Sequence, residues 1–254
     1  MSASAVAVHE PTLAHQKVAR ITGWLFIVTF VASIPAYFFF YAHILDNTRY
    51  IVGAGGSETN VFWGALLEMF VIIANIGTAV ALFPILKRQS EGLALGYVTA
   101  RLVESGFIAV GILSLLAIVT LRQDAAGADP ATLITAGKSL VAVHDWTFLL
   151  GPGFVVCIGN GLLLGYLMYR SGLVPRRMTL LGLIGGPLII LSGIGVLFGV
   201  FDAGSSPQVL ATVPEFFWEL SLGIYLIVKG FRPSPILAEV DVAPVTRVTV
   251  PELV

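Results

Sequence analysis

The sequence predicts an all-α fold: a polytopic transmembrane helical bundle of six spans with both termini in the cytoplasm. Three observations carry that prediction. Hydrophobic residues make up 57% of the 254 residues and charged ones only 11%, against about a quarter in an ordinary soluble domain. The apolar residues run in unbroken stretches of the roughly 20 residues that one helical crossing needs, whereas barrel strands would alternate apolar and polar residues. Basic residues gather at alternate ends of those stretches, as the positive-inside rule requires. The mean hydropathy of +0.92 agrees.

Taken in order, residues 1–19 form a polar cytoplasmic segment ahead of the six-span domain, residues 20–232. The first span, residues 21–42, follows Lys17 and Arg20 and is longer than the core of a secretory signal, so it reads as an uncleaved anchor. Spans two and three, residues 61–86 and 93–121, exceed the minimum and have room to tilt. Residues 123–147 come next. Pro130 opens an amphipathic stretch, 131–146, in which Leu133, Ile134, Leu140, Val141 and His144 share a face, and it reads as a membrane-surface connector. Spans four to six are residues 148–169, 178–201 and 213–231. Beyond them residues 233–254, with Pro233, Pro235, Pro244 and Pro251, read as a flexible cytoplasmic tail.

Orientation follows from Lys17, Arg20, Lys87, Arg88, Arg170, Arg176, Arg177, Lys229 and Arg232, which fall on one side of this layout, against Arg49, Arg122 and Lys138 on the other. The richer side is the cytoplasm. Gly151-Pro152-Gly153 is expected to break or kink the fourth helix. The pairs Gly161/Gly165 and Gly182/Gly186 make GxxxG spacings, which in so glycine-rich a chain point to close helix packing rather than to a dedicated dimer motif.

Several chemistries are disfavoured. A net charge of −1 without a basic tract argues against nucleic acid. Cys157 is the only cysteine, so neither an intrachain disulfide nor a cysteine metal cage can form. Neither HExxH nor GxSxG occurs, so an intramembrane zinc hydrolase or serine hydrolase has no recognisable apparatus. No metal site or cofactor is indicated, and no residue is assigned a catalytic role.

What remains is a layer of polar residues inside the spans. Water-free hydrocarbon makes an unpaired charge costly, so Glu68, Arg101, Glu104 and Glu219 should face the bundle interior. At 1.5 Å per residue, Glu68 lies roughly 10 Å below the outer end of its span, Glu219 roughly 9 Å below its own, and Glu104 near the midplane. Arg101 is one turn to the cytoplasmic side of Glu104 on the same face. His144 and Asp145 stand at the outer entrance of span four, Glu215 lies a turn above Glu219, and Asn75 and Asn160 add neutral polar groups. Two readings stay open. In one, Arg101 and Glu104 merely fix helix register. In the other, Glu68, Arg101, Glu104, His144 and Glu219 line an outward-biased pocket for a ligand, ion or proton, supported by Asn75, Asp145, Asn160 and Glu215.

The run HDWTFLLGPGFVVCIGNGLLLGYLMYRSGLVPRR, residues 144–177, resembles the DUF4386 family of bacterial multipass membrane proteins. So do ARLVES, which holds Arg101 and Glu104, and the last span, FFWELSLGIYLIVKGF. The resemblance covers roughly residues 20–231. It implies a helical integral-membrane domain in the bacterial plasma (inner) membrane, without an assigned activity or catalytic residues. The resulting expectation is a non-enzymatic protein that binds or moves a small molecule, ion or proton. The alternatives are a membrane enzyme on a lipid-like substrate, with Glu104 or His144 as acid–base, and a structural or partner-binding subunit. Expected partners are membrane lipids and that small ligand, without nucleic acid; an oligomer or partner protein stays open.

Overall fold

Polar side-chain caps mark the starts of four of the long helices. The computed structural model describes residues 8–238. Helix α1, Leu13–Pro35, is capped by Thr12, whose hydroxyl accepts from the His15 amide. It continues through a π-helical turn, Ala36–Phe40, to a short helix α2, Ala42–Leu45. Ser57 caps α3, Glu58–Leu86, and Ser90 caps α4, Glu91–Gln123. Asp129 caps α5, Pro130–Leu150, with proline at the first helical position, where its missing N–H costs nothing. Two π-helical segments, Gly151–Val155 and Cys157–Leu164, lead into α6, Gly165–Ser171. Then come α7, Arg176–Leu197, and α8, Ser206–Val228.

Six helical stretches are long and apolar enough to cross a membrane, so six spans stand. Two of them differ from the sequence reading. The stretch read as a surface connector is instead continuous with span four: residues 130–171 form one helical run of 42 residues, about 60 Å if straight. Gly151-Pro152-Gly153 does not end it. It converts the helix to π geometry, in which the wider turn absorbs the proline. Helix α8 starts at Ser206 rather than near residue 213. Pro207 sits in its first turn, and Pro214 is carried inside the helix.

The helices close a ring in chain order. Helix α1 packs on α3, α3 on α4, and α4 on both α5 and the π segment Cys157–Leu164. That segment packs on α7, α7 on α8, and α8 returns to α1. Missing side chains make the closest crossings possible. A Cβ on Gly23 would stand 2.7 Å from the Gly223 carbonyl of α8, and one on Gly161 would stand 2.9 Å from the Gly186 Cα of α7. Outward-facing apolar side chains such as Val31, Val80, Leu113 and Leu191 are exposed, as a lipid-facing surface demands.

Apolar clusters fill both ends of the ring. One, with Leu82, Leu86, Tyr97, Leu164 and Leu222, lies toward the termini; the other holds Tyr41, Ile44, Tyr50, Leu115 and Ile118. The terminal end is stitched by the chain itself. Gln16 donates to the Phe231 carbonyl and accepts from its amide, both at 3.0 Å. His9 and Ser234 form an antiparallel bridge. The two ends of the described chain therefore lie on one face. Residues 233–238, read from sequence as the start of a flexible tail, are fastened here. Arg88 donates to the Ile236 and Ala238 carbonyls, the Ser234 hydroxyl donates to the Ser171 carbonyl, and Leu237 is buried. The remainder of that tail, 239–254, and residues 1–7 lie outside the described residues. At the opposite end Arg122 stacks on Tyr50 at 4.4 Å and pairs with Glu58 at 3.5 Å, which fastens the loop after α2.

Candidate functional site

Between the two apolar ends the ring encloses polar side chains, and they fall into three groups rather than one layer. The first is a closed triangle between α3 and α4. Arg101 donates from Nη1 to Glu104 Oε2 at 2.6 Å and from Nη2 to Asn75 Oδ1, while Asn75 donates from Nδ2 to Glu104 Oε1 at 3.1 Å. Arg101, Glu104 and Asn75 are 2%, 4% and 1% exposed, so the charges compensate each other out of solvent. Tyr97, a turn before Arg101, donates to Thr78 Oγ1, and Thr78 donates to the Asn75 carbonyl. This has the anatomy of a clamp.

The second group lies beside it, on the π segment that packs against α4 and on α8. Asn160 donates from Nδ2 to Glu219 Oε1, and its own carbonyl accepts from Trp218 Nε1 at 2.9 Å. That carbonyl also accepts the i→i+5 bond from the Gly165 amide, so the indole is its second donor. Glu215, one turn before Glu219, is 3% exposed. Among the described residues neither of its carboxyl oxygens has a hydrogen-bond partner, nor has Asn160 Oδ1 or Arg101 Nε. The carboxyl rests against backbone: a Cβ on Gly161 would stand 2.8 Å from Glu215 Oε2, and one on Gly185 would stand 3.0 Å from it. Arg101 is within electrostatic reach of both Glu215 and Glu219.

The third group is nearer the end opposite the termini. Tyr41 donates to Glu68 Oε2 at 3.0 Å, and its ring meets His144 edge-on at 5.9 Å. Glu68 and His144 line one small cavity of about 10 Å³ with Gly111, Thr147, Phe148 and Pro152. Asp145 reaches only 3.5 Å from His144 Nδ1, and its side chain is 60% exposed.

Of the residues expected in one pocket, Arg101 and Glu104 are thus joined with Asn75, and Glu219 is joined with Asn160. Glu68 and His144 form a group of their own with Asp145 at its edge. Glu215, placed by sequence near the outer interface, sits nine residues into α8 and Glu219 thirteen, about 14 and 20 Å along the helix. Tyr41 and Trp218 were not singled out by sequence. Nothing in their local pattern marks them, because each matters through a partner on another helix.

The other nucleophile-bearing side chains are engaged locally. Ser105, Ser114, Ser192 and Ser221 donate to carbonyls three or four residues back, and the Cys157 thiol donates to the Gly153 carbonyl. Among the described residues no three His, Cys, Asp or Glu side chains are spaced to hold a metal ion.

The family described as "Domain of unknown function (DUF4386)" matches residues 21–230, and the chain belongs to it. No curated protein and no solved structure matches the chain.

Proposed function

We propose that this DUF4386 chain binds or moves a small molecule, ion or proton at the Asn160–Glu215–Glu219 face of its interior. We place it in a bacterial plasma membrane with both termini cytoplasmic. The observation that carries the reading is the Glu215 carboxyl, buried and without a hydrogen-bond partner among the described residues. A group with only a packing role would be apolar or satisfied, because an unpaired buried polar group costs about 1–3 kcal/mol, and more if charged. Membrane-embedded ionisable groups that keep such a cost are the usual mark of a ligand or proton path. The basic residues at the terminal end support the orientation, and the Tyr41–Glu68–His144 group lies between the opposite surface and the interior as a polar approach.

The Arg101–Glu104–Asn75 triangle favours a structural role for those three residues specifically. Binding and clamping are therefore assigned to different faces of one interior. The test is water access. In a Cys157→Ala background, Glu219→Cys should react with a membrane-impermeant thiol reagent applied from the side opposite the termini, while Leu226→Cys, buried in the apolar end, should not. If both positions stay unlabelled from either side, the interior does not exchange with water and the binding role fails.

A further inference from the structure

We infer that Asn160, Glu215 and Glu219 form a site for a hard monovalent cation. This deepens the reading just given and rests on it. Among the described residues, three of the four unpartnered interior atoms at this level are acceptors: both Glu215 oxygens and Asn160 Oδ1. Asn160 Nδ2 donates to Glu219, and Asn160 Oδ1 is the atom without a partner among the described residues. A neutral donor ligand would be wanted by three acceptors at once; a cation satisfies them together.

Charge leads the same way. Three carboxyls, Glu104, Glu215 and Glu219, share this interior with one guanidinium, and that guanidinium is bonded to Glu104. Ionised Glu215 and Glu219 would leave two negative charges uncompensated, so at least one proton or cation must accompany them. An anionic ligand would add to the excess and find only Arg101 Nε to receive it.

The setting is built from backbone. Gly161 and Gly185 wall the Glu215 carboxyl with their main chains, and Asn160 and Gly161 lie within the eight-residue π segment Cys157–Leu164. Interrupted helices whose carbonyls turn inward beside a carboxylate are a recurrent way of holding small cations inside membranes. All-oxygen ligands select a hard ion. A monovalent ion balances the site when one of the two clamp-free carboxyls keeps its proton and the other is ionised. The charged and titratable groups that bear on Glu215 are Glu219 on α8, Arg101 and Glu104 on α4, and Cys157 on the π segment. Helix α7 brings glycine backbone, and a proton is the natural competitor.

The experiment uses the full chain in lipid nanodiscs, with sodium chloride against choline chloride at equal ionic strength. Sodium at about ten times its Kd should raise the unfolding midpoint by about 3–6 °C. It should also bleach the infrared band of a protonated carboxyl. Glu215→Gln and Asn160→Ala should remove the sodium-specific shift while keeping the helical circular dichroism. The infrared reading needs no variant, so a variant that fails to fold leaves it intact. Equal midpoints in the two salts, with a persistent protonated-carboxyl band, would mean that a proton alone balances the site, overturning the cation and leaving the broader binding reading standing. A sodium shift that survives Glu215→Gln would place the ion elsewhere. Absence of both signals, together with unlabelled Glu219→Cys, would overturn both.

Discussion

The clamp between α3 and α4 makes the most quantitative prediction. Arg101→Met removes two hydrogen bonds and the only guanidinium beside Glu104, leaving a carboxyl 4% exposed with a single amide donor from Asn75. Glu104→Gln leaves a guanidinium 2% exposed without its counter-charge. Breaking a buried ion pair from one side costs about 3–5 kcal/mol, whereas replacing both partners is often near neutral. Each single variant should therefore lose about 3–5 kcal/mol, and Arg101→Met/Glu104→Gln should recover to within about 1–2 kcal/mol of the parent, giving a coupling of about 3 kcal/mol or more. An interhelical hydrogen bond in a membrane averages only about 0.6 kcal/mol, so charge rather than hydrogen bonding sets the size. Reversible unfolding in mixed micelles measures all four proteins. Single losses below about 1 kcal/mol, or a double variant that simply adds the two, would refute a compensated buried pair.

Three further outcomes follow from other contacts. Gly182→Ala places a Cβ 2.6 Å from Trp218 Cδ1; it should cost about 1–3 kcal/mol by overpacking and shift the tryptophan emission, since Trp218 is buried while Trp24, Trp63 and Trp146 are exposed. Gln16→Ala loses both bonds to the Phe231 backbone, so about 1–3 kcal/mol and faster tryptic cleavage after Lys229 are expected; an unchanged cleavage rate would show that the terminal strap does not depend on it. Asp129 is held below the usual carboxylate range by the Thr132 backbone amide and then its hydroxyl. Its cap should support α5 fully above the unfolded value of about 3.9 and be lost as pH falls through the lower folded value. A carboxyl-carbon NMR titration with its midpoint at or above the unfolded value would contradict the cap.

How far the sequence carried depended on whether the signal was local. Apolar length is local, so six spans were legible, as was the helix start at Pro130; the starts at Glu58 and Glu91 lie three and two residues before the apolar windows, where Ser57 and Ser90 cap them. At Gly151-Pro152-Gly153, where a break or kink was expected, the α-helix stops at Leu150 and a π turn carries the run on; whether a proline ends a helix or is absorbed in this way depends on what packs against it, here Phe107 and the α4 backbone beside Gly151. Six residues of the tail were misread for a related reason: Pro233 and Pro235 look like linker, yet Ser171, His9 and Arg88 supply partners from distant parts of the chain. Within the site, Arg101 and Glu104 were paired correctly because three residues on a helix fix their neighbourhood. Glu215 was undervalued because its depth was counted from an apolar window that began at residue 213, whereas α8 begins seven residues earlier. Its isolation is set by Gly161 and Gly185 on two other helices, which no single stretch of sequence displays.

The claim that the interior holds one charge-paired clamp and one open carboxyl is tested most directly by the unfolding free energy of Glu215→Gln in choline buffer without added ligand. A carboxyl kept without a partner contributes no stabilisation of its own, so the neutral isostere should be at least as stable as the parent, as is common where a residue is retained for function. A loss of more than about 2 kcal/mol would mean that Glu215 makes a stabilising interaction of its own in the parent. The open site would then be a second clamp.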